Sequence, residues 1–399
     1  MRLTRLLRNP AVTVEEMAAT AQERTAERCI GRPVLAIQDT TSIKSSGGGG
    51  LMLHAMIAVD AEDGAILGLA HAQFMSRDKG LRGERKSRPL AAKESRRWLE
   101  GGEDAARIGA LARSVTVIAD REGDIFEAFA RRPKDIELLV RAAQDRSLGD
   151  GGLLFATVDA LPEAGRTLLD LPAKPGRKAR QARLAVRFMA AQLARPKAGT
   201  PGLEALPASV GMTLVDIREV DPPAGEPAVH WRLLISRAVR DITEALAVAE
   251  LYRRRWAIEQ LFRTLKTQGY DIEGLRIAED VPRLKLVMAA LVAAVSVQQL
   301  VHARDGASPQ TPLRPLTDAF QPEDQPLLEA LSAKLEGKTQ RQKNPHPKGS
   351  LAFAAWVCAR LGGWTGYYGK PGPMVMLQGW LSFYDAKQGW DALAQAKDV

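Results

Sequence analysis

The stretch from Tyr252 to Lys266, YRRRWAIEQLFRTLK, constrains this chain more than any other. At about 100° per residue, Leu251, Ile258, Leu261, Phe262 and Leu265 gather on one arc of a helix, so that helix must lie against a core. Tyr252, Arg255, Glu259 and Lys266 fall within roughly 60° of one another on the neighbouring arc. A charged, solvated face gives the same pattern. The chemical alternative is a carboxylate flanked by a phenol, a guanidinium and an ammonium, a set able to hold a divalent cation and grip the phosphates around it.

Two aspartates upstream favour the chemical alternative. Asp39, in PVLAIQDTTSI, sits where the apolar run Val34 to Ile37 ends. Asp120, in SVTVIADREGDIFEAF, follows Val115 to Ala119 in the same way, and Asp124 is placed to cap the helix expected next. Each alone reads as an ordinary turn acid. If the two strands lie side by side, their ends and the Glu259 helix face bring three carboxylates together. Such a cluster is costly unless cations neutralise it. An all-oxygen donor set favours magnesium or manganese, and a pair of such ions supports in-line displacement at phosphorus.

On these residues the chain resembles the insertion-sequence-four-type transposases, relatives of the transposase of transposon five. Tyr252, Arg255, Glu259 and Lys266 match the spacing of that family's signature. QDTTS, KESRRW (Lys93 to Trp98), ADREGD, LLVR (Leu138 to Arg141), HWRLLIS (His230 to Ser236) and GSLAFAAWVCARLGG (Gly349 to Gly363) resemble family landmarks in the same order, over nearly the whole chain. The resemblance implies an α/β fold: a ribonuclease-H-like mixed-sheet catalytic core with an inserted mainly-β subdomain and an α-helical C-terminal domain. It implies a DDE triad of Asp39, Asp120 and Glu259 holding Mg2+ or Mn2+, as two ions. It also implies that Trp231 stacks on a base pushed out of the duplex, while Tyr252, Arg255 and Lys266 hold nearby phosphates. Arg141 is a further phosphate-contact candidate. Arg121 is another, set against a simple ion pair with Glu122 or Asp124. The implied partners are double-stranded DNA, as transposon ends and target, and a second copy of the chain joined through the C-terminal domain.

Composition agrees. The chain has 399 residues, 45% of them apolar, and carries a net charge of +9, which suits a polyanionic partner. The N-terminus lacks the apolar stretch of a signal peptide, so a cytoplasmic, nucleoid-associated bacterial protein is expected. Leu286 to Val295, the longest apolar run, is too short to cross a bilayer and reads as a buried helix, so no membrane partner is expected. Cys29 and Cys358 form no CxxC pair, and the five histidines form no HExxH. Gly47 to Gly50 reads as a loop, not a nucleotide cradle.

The pattern divides the chain into residues 1–30, a remnant N-terminal helix; 31–145, the first part of the core; 146–240, the inserted β subdomain; 241–305, the second part with the Glu259 helix; and 306–399, the helical dimerisation domain. Leu53 to Val59 and Ile66 to Phe74 read as a hairpin turning at Glu62-Asp63-Gly64. A basic loop, Arg77 to Arg88, leads to a helix from about Lys93 to Leu111. Within the insertion, Lys174 to Lys197 holds eight Lys or Arg and no acid, and reads either as a charged sheet edge or as a DNA contact. The chain starts almost at the family landmark RNP (Arg8 to Pro10), so the end-recognition domain of relatives is expected to be missing. Two alternatives to an active transposase therefore stand: an inhibitor acting through mixed dimers, and a metal-dependent nuclease without strand transfer.

Overall fold

A computed structural model describes residues 2–44, 51–76, 95–173, 178–197, 201–275, 277, 279–309 and 311–397. The basic loop Arg77 to Arg88, the glycine run Gly47 to Gly50, Lys93 and the stretch 174–177 lie outside the described residues. The chain opens with α1 (Arg2–Arg8) and α2 (Val14–Cys29), then β1 (Pro33–Ile43), β2 (Leu51–Asp60), β3 (Ile66–Ser76), α3 (Arg96–Ile108), β4 (Ser114–Ala119), α4 (Phe126–Ala130) and β5 (Glu137–Arg141). It continues with α5 (Leu154–Asp159), β6 (Gly165–Leu171), β7 (Arg180–Ala194), β8 (Ser209–Glu219), β9 (His230–Ile235), α6 (Ile242–Arg253) and α7 (Trp256–Lys266). Four helices close it: α8 (Asp280–Ala303), α9 (Gln325–Leu335), α10 (Leu351–Leu361) and α11 (Pro373–Lys397).

The strands form one nine-stranded mixed sheet in the order β3-β2-β1-β4-β5-β9-β8-β7-β6. β1, β2 and β3 run antiparallel, whereas β1, β4 and β5 are parallel. This mixed α/β arrangement fits the expected ribonuclease-H-like core. The stretch between β5 and α6 does not form a separate layer: β9 pairs antiparallel with β5 and carries β8, β7 and β6 outward on the same sheet. β7 is therefore interior from Arg180 to Val186, so the charged-edge reading fails for Arg180 and Arg183. Arg180 is held by Glu219 and Glu226, and Arg183 pairs at the surface with Asp221 at 2.8 Å.

Side-chain alternation divides the sheet between two cores. On one face Leu35, Ile37, Ile118, Leu139, Leu233 and Ile235 pack with Ile258, Leu261 and Leu265 of α7 and with α8. On the other, Val34, Ala36, Val117, Ala119 and Leu234 pack with Trp98, Ala105 and Ile108 of α3. By length and composition α8 could cross a membrane, since the apolar pattern runs well beyond Leu286 to Val295. However, 61% of its most apolar window is buried, and it serves as a core helix here.

Three local expectations are corrected. β1 does not end at Asp39 but continues to Ile43, because Thr40 to Ile43 pair with Leu51 to His54 of β2. Asp124 caps nothing: α4 starts after Ile125 with no side-chain cap, and the Asp124 carboxylate is buried against Arg146 at 2.6 Å. Finally, Tyr252 and Glu259 do not share one continuous helix. Tight turns donate Arg254 N to Leu251 O (3.2 Å) and Arg255 N to Tyr252 O (3.0 Å), separating α6 from α7. Arg254 stabilises the break by donating to the carbonyls of Asp60 and Glu62, both at 3.1 Å, in the β2–β3 turn. That turn needs Gly64, whose φ is 78°.

Candidate active site

A row of polar groups crosses the α7 face of the sheet. Ile37 pairs with Ile118, so two residues further along Asp39 and Asp120 lie side by side on that face. Ala119 pairs with Val140, which sets Arg141 next to Asp120. Trp231 shares this face one strand further on, half-buried against the same core. The break between α6 and α7 projects Tyr252 and Arg255 over the row, and Glu259 follows one turn into α7.

Arg255 joins two of the three acids. Its Nη1 lies 2.9 Å from Asp39 Oδ2, and its Nη2 donates to Glu259 Oε1. Asp39 also accepts Thr40 N at 2.7 Å, and Asp120 accepts Glu122 N at 2.8 Å. At Asp39 these contacts do not offset burial. Burial, and then the charges of Asp120 and Glu259, push the Asp39 carboxyl up to about 6 despite Arg255 and Thr40. Burial works against the Arg255 charge, but Tyr252, Asp39, Glu259 and Asp120 together hold its pKa above the ordinary value.

The remaining candidates take different places. Tyr252 is buried with its ring 6.4 Å from that of Trp231, and its hydroxyl is raised by burial despite neighbouring Arg255 and Arg141. Arg141 donates to His230 O at 2.9 Å. Arg121 pairs with neither acid offered to it: Glu122 binds Arg97 at 3.0 Å, and Asp124 binds Arg146. With Arg141, Phe155, His230 and Arg232, Arg121 lines a concavity of about 210 Å³ beside the row. Lys266 stands at the far end of α7, donating to Ser42 O and 3.5 Å from Glu273. The reading of one continuous stripe missed Trp256. This residue is 49% exposed on the solvent side of α7 beneath the Arg263 guanidinium, and a tryptophan inside so charged a motif was the available signal.

Among the described residues no three His, Cys, Asp or Glu side chains stand close enough to hold a metal ion directly. The reason is visible in the site, where the Arg255 guanidinium lies between Asp39 and Glu259. The donor chemistry still suits a hard cation, because all three acids offer carboxylate oxygens and Asp39 is buried beside the charges of Asp120 and Glu259.

Asp39 and Asp120 thus stand on neighbouring strands, and Glu259 faces them from a later helix. Residues 37–295 match the family model described as a transposase DDE domain, and the chain belongs to that family. It is a DDE-type transposase, a DNA-cleaving and DNA-transferring enzyme whose substrate is DNA.

Proposed function

We propose that this chain is a cut-and-paste transposase of the insertion-sequence-four type, related to the transposase of transposon five, in which Asp39, Asp120 and Glu259 are the catalytic acids. The observation carrying this reading is the Asp39–Arg255–Glu259 bridge alongside Asp120, within the residues that match the family. Magnesium or manganese held by these carboxylates would supply activation of the attacking oxygen and stabilisation of the leaving one. The chain's own groups then bind and orient the DNA. Arg255, released from its two acids, takes a phosphate beside them, and Arg141 and Arg121 offer two more cations across the concavity. Lys266 holds the strand further along α7. Trp231, backed by Tyr252, offers its face to a base pushed from the duplex. One site would serve cleavage and strand transfer, since each is an in-line attack at phosphorus.

The five-part domain division and a bacterial, nucleoid-associated setting belong to the same reading. So does a homodimer formed on DNA through the C-terminal helices, for which Trp390 and Leu393 on α11, 44% and 67% exposed, are the supporting feature. The test is a plasmid assay with a cognate transposon end and Mg2+ or Mn2+. Excision together with strand-transfer product is expected. Cleavage without transfer would reduce the protein to a nuclease. No cleavage, combined with suppression of an active relative, would make it an inhibitor.

A further inference from the structure

Behind Asp39, on the α3 face of the sheet, a hydrogen-bonded chain crosses three elements. Gln38 and Thr40 flank Asp39 in β1 and point to the opposite face from it, where His54 of β2 stands opposite Thr40. His54 Nε2 lies 3.2 Å from Gln38 Oε1, and Nδ1 lies 2.9 Å from Thr40 Oγ1. A carbonyl oxygen only accepts, so Nε2 carries the proton and Nδ1 accepts from the Thr40 hydroxyl. The ring is fully buried, and burial, with His71 and Arg97 nearby, keeps its pKa well below the usual value, consistent with one proton. The Thr40 oxygen then has lone pairs left for Arg97 Nε, which donates to it at 3.2 Å. α3 makes room for this packing with Gly101, where a Cβ would collide with Gln38 Oε1.

Arg97 is the junction. Its Nη2 donates to Glu122 Oε2 at 3.0 Å, so one guanidinium ties Thr40 to Glu122. Those two residues also supply the backbone N–H groups that hold Asp39 and Asp120, at 2.7 and 2.8 Å. The tie therefore fixes, from behind, the two backbone donors that orient two carboxylates on the opposite face.

We propose that Arg97 is a positioning residue that sets the separation and orientation of Asp39 and Asp120, with His54 and Gln38 locking the Thr40 hydroxyl toward it. The inference rests on the reading of Asp39 and Asp120 as catalytic, metal-binding acids. Supporting groups behind metal-binding side chains typically contribute about 10–100-fold in metal affinity or activity. Lysine cannot replace this arginine, because one ammonium lacks the fork that reaches both acceptors.

The experiment measures Mn2+ affinity by calorimetric titration without DNA, then kcat and KM for end cleavage. Arg97→Lys and Thr40→Val should each weaken Mn2+ binding and lower kcat by about 10–100-fold with KM for DNA unchanged. Thr40→Ser, which keeps the hydroxyl, should restore both. Ile108→Ala is the control for general loss of packing: Ile108 is buried on α3 and bonds to no member of the tie, so that variant should lower thermal stability without moving Mn2+ affinity. Parental Mn2+ affinity and kcat in Arg97→Lys and Thr40→Val would overturn the inference, provided Asp39→Asn and Asp120→Asn abolish both. An equal loss of Mn2+ affinity in Ile108→Ala would overturn it too. If Asp39→Asn and Asp120→Asn keep Mn2+ binding and cleavage, the reading of the site falls and takes the inference with it.

Discussion

Asp120 and Asp124 are separated by three residues of one short segment and live in opposite electrostatic worlds. Asp124 is buried, and its carboxylate accepts Ala143 N at 2.7 Å, Gln144 N at 2.9 Å, and Arg146 through Nε at 2.9 Å and Nη2 at 2.6 Å. Asp120 instead takes one backbone donor and stands beside Asp39, which shares a single guanidinium with Glu259. The first carboxylate takes four donors, whereas the second takes one beside a neighbour whose carboxyl burial and nearby charge push up. A saturated buried carboxylate holds the fold together. A crowded, under-neutralised group at a sheet end is what a cation-dependent site requires.

The sharpest way to break this contrast is to remove charge at the crowded site. Asp120→Asn and Glu259→Gln should each lower DNA cleavage by at least about 1,000-fold, roughly 4 kcal/mol of transition-state stabilisation, with the melting temperature nearly unchanged. Parental cleavage by either variant would return its acid to the ordinary turn and surface residues. The mirror-image change is Asp124→Asn, or Arg146→Ala. Leaving a buried charge unpaired should cost about 3–5 kcal/mol in a urea titration. A loss below about 1 kcal/mol would show that the knot is not structural.

Asp39 sharpens the comparison through pH. Its folded-state pKa of about 6 lies above the ordinary 3.8, so its contribution to stability is complete below pH 3.8 and is lost as pH rises through 6. Asp39→Asn keeps the uncharged state at every pH. In a chelating buffer it should therefore stabilise the protein above pH 6, by on the order of 3 kcal/mol, and have little effect near pH 4. Destabilisation at pH 8 would mean that Arg255 neutralises the cluster after all.

Two smaller effects concern DNA. Trp231→Ala should weaken binding to DNA distorted at the cut site by about 1–3 kcal/mol and leave the salt dependence unchanged, as read by fluorescence anisotropy over a salt series. Arg255→Ala should instead reduce the slope of log affinity against log salt by about one, because one phosphate contact and its counterion release are lost. An unchanged slope would leave Arg255 as a partner of Asp39 and Glu259 alone.

Much of this was legible in the residues, and the limits follow physical lines. The apolar runs ending at Asp39 and Asp120, the β2–β3 hairpin and the buried arc of α7 could be read because alternation and helical period are local properties of sequence. The family signature around Glu259 carried the third acid. The break between α6 and α7 could not be read, because Arg254 is held by carbonyls of the distant β2–β3 turn. Nor could the fate of Asp124, whose partner Arg146 and backbone donors arrive from beyond β5. The mainly-β character of the insertion was legible, but the fusion of its strands into the core sheet depends on β9 pairing with β5. Sequence alone thus singled out the acids proposed for the chemistry and most of the strand and helix segments. The tertiary structure decided which charges are satisfied, because a carboxylate's donors come from whichever chain segments pack around it.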